Sequence, residues 1–208
     1  MASNNYIYKM SNAGGMATVT RYTDMLAGNT TWNPWEPQGA YDALSTITVP
    51  SGGLASVTFA GIPSTYKHLQ IRMIGRLNGA ANNCSLVFNG DTGSNYTQHQ
   101  LFGSGSSAGA GGSAYGVPSA RPTFNMTGTN EASNIFGTGV MDILDYANTS
   151  KLKTVKLLTG SDYNGSGFII MRSLLWNSTN AINSITFVPD SPSTGFVQYT
   201  QFTLYGVR

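Results

Sequence analysis

From residue 41 onward, apolar and polar positions alternate in short runs closed by turn residues. Ile47 and Val49 alternate with Thr46 and Thr48 before Pro50-Ser51-Gly52-Gly53. Ala55, Val57 and Phe59 alternate with Ser56 and Thr58 before Gly61-Ile62-Pro63-Ser64, and Leu69, Ile71 and Met73 alternate with Gln70 and Arg72. A period of two puts successive side chains on opposite faces, the pattern of a strand with one face in a core. Further strand-like runs lie at 84–88, 96–102, 135–144, 155–158, 168–176, 182–188 and 196–207. No long stretch carries a helical period. About nine or ten strands, with a turn signal every ten residues or so, predict an all-β fold: an antiparallel β-sandwich of the jelly-roll type over residues 41–208. Ile47, Phe59, Leu69, Ile71, Val87, Val155, Leu157, Ile170, Phe187 and Leu204 are its expected core. The first two strands, joined by Pro50 to Gly53, read as a hairpin. In the last run the apolar face shifts from Val197 and Tyr199 to Phe202 and Leu204, which predicts a bulge near Thr200.

Residues 1–40 break this pattern. They are rich in Asn, Met, Gly and Tyr and show neither period, and Trp32-Asn33-Pro34-Trp35-Glu36-Pro37 is aromatic and broken by proline. Such a segment buries little against itself but buries well against something else, either the body of its own chain or a neighbouring subunit. It is read as an extended N-terminal arm that contacts a partner through Tyr6, Tyr8, Tyr22, Trp32 and Trp35. Residues 103–116 are almost entirely Gly, Ser and Ala, and are expected to form an exposed loop.

Composition narrows the function. Only 10% of the 208 residues are charged, with 25 Gly and 11 Tyr, and the net charge is +2. A free protein kept soluble by its charge is not built this way, whereas a subunit that packs against neighbours can be. The basic residues are scattered, so no nucleic-acid footprint is expected. No apolar run is long enough to span a membrane, and no basic segment followed by an apolar one opens the chain, so no secretion signal is expected. Lys151, Lys153 and Lys156 form the one basic cluster and read as a solvated strand edge.

Chemistry is sparse. Cys84 is the single cysteine, so no internal disulfide can form, and its apolar context reads as a buried small hydrophobe. His68 and His99 lack the spacing of metal ligands. Asp142 and Asp145 are the closest carboxylates, on opposite faces of a strand, which argues against an acid–base couple. Asn89 to Asn95 is rich in oxygen ligands but lacks the order of a calcium loop, and is read as a turn. Gly103-Ser104-Gly105-Ser106-Ser107-Ala108 lacks the strand–turn–helix context of a phosphate cradle. The chain is therefore expected to be no enzyme and to hold no cofactor and no metal.

Several stretches together resemble structural proteins of tailed-bacteriophage particles, in particular marine and cyanobacterial phages. They are Gly61-Ile62-Pro63-Ser64-Thr65-Tyr66-Lys67-His68-Leu69-Gln70-Ile71-Arg72, Asn89-Gly90-Asp91-Thr92-Gly93-Ser94-Asn95-Tyr96, Gln100-Leu101-Phe102-Gly103 and the terminal Phe202-Thr203-Leu204-Tyr205-Gly206-Val207. Lys9-Met10-Ser11-Asn12-Ala13-Gly14-Gly15 and Asp24-Met25-Leu26-Ala27-Gly28-Asn29 add to the likeness. The resemblance implies a virion component, assembled in the host cytoplasm and built on a β-sandwich. The expected role is a capsid decoration (cement) protein that binds the major capsid protein and neighbouring copies of itself as a homotrimer. The alternative is a tail-fibre or spike module that recognises a host surface glycan.

Overall fold

The computed structural model describes residues 9–12, 15–18, 40–80, 83–113, 123–191 and 194–208. The chain divides into two compact units, Met1–Gly39 and Ala40–Arg208. In the first, β1 (Lys9–Asn12) and β2 (Gly15–Thr18) pair antiparallel, from Lys9 opposite Thr18 to Asn12 opposite Gly15. Four-residue strands are too short to print a period, and the sequence did not betray this pair. Tyr6, Tyr8, Tyr22, Trp32 and Trp35 lie outside the described residues.

The second unit is all-β among its described residues, with two antiparallel sheets. The larger has eight strands in the order β3-β14-β5-β10-β11-β12-β7-β8. These are β3 (Tyr41–Thr48), β14 (Gln201–Val207), β5 (His68–Gly75), β10 (Gly137–Leu144), β11 (Lys153–Asp162), β12 (Gly167–Trp176), β7 (Tyr96–Gly103) and β8 (Ala108–Ser113). The smaller has four, β4 (Val57–Ala60), β13 (Ser184–Pro189), β6 (Asn83–Phe88) and β9 (Thr123–Asn125), in the order β4-β13-β6-β9.

The core lies between the sheets. Phe187 of β13 stacks on Phe202 of β14 with ring centroids 4.7 Å apart, and Phe88 of β6 meets Trp176 of β12 at 5.6 Å. The period of two is legible in burial: Val155 and Leu157 are inside, whereas Thr154, Lys156 and Leu158 are outside. Of the expected core, Ile47 is half-buried against the cluster and the other residues are buried.

Four expectations need correction. Pro50 to Gly53 joins no hairpin. Gly52 and Gly53 adopt φ of 95° and 78°, and the chain leaves β3, which pairs with β14, to enter β4, which pairs with β13 in the other sheet. Alternation identifies a strand but not its partner.

The Gly/Ser segment is no loop through 108–113: β8 pairs with β7 from Gly103 opposite Ala108 to Gln98 opposite Ser113. Its glycines serve close packing. A Cβ on Gly109 would stand 2.7 Å from the Phe102 ring, and one on Gly112 would stand 2.8 Å from the Gln98 carbonyl oxygen. Among the described residues of the segment, Ser104 to Ser107 form the connecting turn, closed by Ser104 N donating to Ser107 O, and 114–116 lie outside the described residues.

The bulge placed near Thr200 is a turn. Thr200 N donates to Val197 O, Tyr199 has φ of 72°, and β14 starts only at Gln201. The register irregularity of β14 lies between Leu204 and Tyr205.

Lys153 is no edge residue. It is fully buried, and its Nζ donates to the carbonyls of Asn148, Lys151 and Thr179 at 2.6, 2.8 and 3.1 Å. A buried ammonium is tolerated when its donors are filled, and here they bind two loops at one end of the large sheet.

Candidate interaction face

The eight-stranded sheet turns one face to the smaller sheet and the other outward. Leu101 of β7 stands opposite Met171 of β12, Met171 opposite Leu158 of β11, and Leu158 opposite Val140 of β10. Their relative exposures are 56%, 46%, 44% and 39%. Directly opposed cross-strand side chains touch and stabilise one another. These four therefore form one apolar ridge running at right angles to the strands.

A groove follows each flank of the ridge. On one side lies the row His99, Ser173, Lys156 and Asp142, each paired with the next. The groove between is about 540 Å³ and its floor is opened by Ala110 and Gly111 of β8. On the other side lies the row Ile169, Gly160, Thr138 and Ile74, and the groove is about 310 Å³. Ile169 and Ile74 add exposures of 58% and 44%. A connected apolar surface of this kind marks a contact site rather than scattered surface leucines.

Charge is nearly absent from this face. From β8 across to β5 the outward Asp, Glu, Lys and Arg side chains are Lys156, Asp142 and Arg72, with Asp162 at the end of β11. Asp142 accepts from Gln70 Nε2 at 2.8 Å. The Arg72 guanidinium donates to Gln70 and lies over the rings of Tyr205 and Tyr41, 5.1 and 5.7 Å from their centroids.

At one end of the sheet the β7–β8 and β11–β12 loops border an open cleft of about 870 Å³, lined by Ser104, Ser106, Phe136, Asp162, Ser166 and Phe168 among others.

The candidate chemical groups are dispersed. Cys84 is fully buried, and desolvation with the nearby Asp190 pushes its thiol well above the ordinary range, which suits packing and not nucleophilic attack. His68 Nδ1 accepts from Asp145 N at 3.0 Å, so it caps the end of β10. His99 belongs to the polar row on the outer face. Asp142 and Asp145 serve separate partners. Asp145, with φ of 48°, takes a bond from Lys151 Nζ at 2.7 Å with Lys67 at 3.9 Å, and the Lys151 bond holds its carboxyl below the ordinary value.

The Asp91 carboxylate accepts from Trp176 Nε1 at 2.7 Å, Asn95 Nδ2 at 2.9 Å and Gly93 N at 2.9 Å. Burial alone would raise its pKa, but these donors outweigh it and hold the carboxyl below the ordinary value. Its oxygens face N–H donors, the arrangement of a turn. Among the described residues, no three His, Cys, Asp or Glu side chains gather as a metal site.

The ridge was not singled out from the sequence. Its signal was present in Leu157-Leu158 and Ile169-Ile170-Met171: apolar residues at consecutive positions of a strand make both faces apolar. No family model, no curated protein and no solved structure matches this chain.

Proposed function

We propose that this chain is a non-catalytic structural subunit of a tailed-phage particle, a head decoration protein that works only when packed against other subunits. The observation that carries the reading is the outward apolar ridge with its grooves, on a face nearly free of charge. Such a surface gains free energy when it is covered, at roughly 25 cal/mol for each Å² of apolar area buried.

The strand pairing supports a jelly roll. The pairs β3·β14, β4·β13, β5·β10 and β6·β9 are nested in sequence, as in one long hairpin rolled on itself. Rolling puts β3, β14, β5 and β10 in one sheet and β4, β13, β6 and β9 in the other. The hairpins β7–β8 and β11–β12 are inserted into this scheme and widen only the first sheet. Jelly rolls of this type build viral shells as well as lectins. The resemblance of the sequence to phage structural proteins points to the first.

A gold-labelled antibody on intact particles tests the assignment. Label over the heads supports it. Label confined to the tail or its fibres supports a second reading, a receptor module, which the end cleft with Phe136, Phe168, Asp162 and its serines favours through sugar stacking and hydroxyl recognition. No label on particles overturns both.

A further inference from the structure

We propose that the ridge face pairs with the same face of a second copy of this chain about a two-fold axis, the ridge of each copy seated in a groove of the other. The proposal rests on the assembly reading above and names the partner of its contact face.

Shape carries it first. The ridge crosses β7, β12, β11 and β10, and the larger groove crosses β8, β7, β12 and β11 directly beside it. A ridge and a parallel groove that overlap along β7, β12 and β11 of one face can each receive the other about a two-fold axis, which is the requirement of a self-complementary contact. With the axis along the ridge, the two ridges lie side by side, and Leu158 and Met171 of one copy face their counterparts.

Area agrees. Eight strands about 4.8 Å apart and about eight residues long, at ~3.4 Å each, present roughly 1,000 Å², against the ~800 Å² that each partner buries in a stable complex. Charge is no bar, because Lys156 and Asp142 stand opposite each other on β11 and β10, one cation beside one anion. A ring of three needs two different surfaces that meet head to tail. One self-complementary face yields a pair, so the geometry favours two copies over the homotrimer expected from the sequence.

The test is sedimentation of the purified full chain between about 1 and 100 μM, a range that brackets ordinary dimer affinities. The expected species is a dimer. Leu158→Glu and Met171→Lys, both outward-facing, should be monomeric at the highest concentration while keeping the wild-type far-UV spectrum. If one of them fails to fold, the other serves.

Because Cys84 is buried, Leu158→Cys adds the one reactive thiol among the described residues. A short bis-maleimide should link this variant into dimers and should leave Asn180→Cys, on an exposed loop, unlinked.

A wild-type chain that stays monomeric overturns the proposal. So does a dimer or trimer that survives both charge substitutions, or equal linking at residues 158 and 180. Monomers that still label phage heads overturn the pair and leave the assembly reading standing. Dimers that label no particle do the reverse.

Discussion

Asp91 takes N–H bonds from Gly93, Asn95 and Trp176, and thereby ties the β6–β7 loop to the end of β12. The same loop is held by the Tyr96 hydroxyl, which accepts from Phe88 N and donates to Asp91 O. Asp91→Asn keeps the shape but loses the charge that strengthens each bond. A loss of about 2 kcal/mol at neutral pH is expected, in the range for hydrogen bonds to charged groups. The sign with pH follows from the lowered carboxyl pKa of the folded chain. Stabilisation by Asp91 is complete above the ordinary carboxylate value and is lost as pH falls through the folded value. Urea midpoints of wild type and Asp91→Asn should therefore differ at pH 7, and the gap should narrow as the pH falls below the ordinary carboxylate value; a constant gap would show that the carboxylate charge is irrelevant.

Lys153 makes the complementary case at a buried cation. Burial lowers its pKa, with Asp145 opposing. Lys153→Met keeps the stem but orphans three carbonyls, and should cost about 3 kcal/mol, as when one partner of a buried polar set is removed. Urea denaturation of the two chains measures it. The sequence showed only three lysines in a basic stretch. Nothing in it announced that loop carbonyls at 148, 151 and 179 would converge on the middle one.

At the scale of elements, legibility followed side-chain contrast. β5, β11 and β12 were visible because Leu69, Ile71, Val155, Leu157 and Ile170 alternate with polar neighbours or lie in apolar runs. β8 was not, because Ala-Gly-Ala-Gly-Gly-Ser has no side chains large enough to carry a period, and its strand is specified by β7 beside it. Partnership was illegible too, since the β3–β4 connection looks like a hairpin turn and is a crossing between sheets.

These differences make the Gly/Ser segment separable by experiment. Doubling the Ser104–Ser107 turn with Gly and Ser should cost only about 0.6 kcal/mol, the closure entropy of a longer loop. Gly112→Val sets a side chain against the Gln98 carbonyl and the His99 ring, and should cost roughly 1–3 kcal/mol, as overpacking does. Melting temperatures of the two variants decide the matter; equal, negligible shifts would return the whole segment to the status of a loop.

At the scale of the whole molecule, the chain divides at Gly39 into two compact units that can be separated by truncation. The β3·β14 ladder closes one edge of the large sheet and begins at Tyr41 opposite Val207, with Arg208 N donating to Ala40 O. Among the described residues, every ladder of the second unit is formed between residues that follow Ala40. Removing residues 1–39 therefore takes no strand from the sandwich. The truncated chain should keep its β-type spectrum and melt within about 4 °C of the full chain, the equivalent of about 1 kcal/mol at this size. Under the decoration reading, the removed stretch carries aromatic anchors, Tyr6, Tyr8, Tyr22, Trp32 and Trp35, whose burial on a neighbour supplies affinity for the head. Binding of the truncated chain to empty heads, measured by co-sedimentation, should fall at least tenfold, while its self-association through the ridge persists. Undiminished binding would move the anchoring contacts onto the sandwich itself and leave the first unit without the role assigned to it.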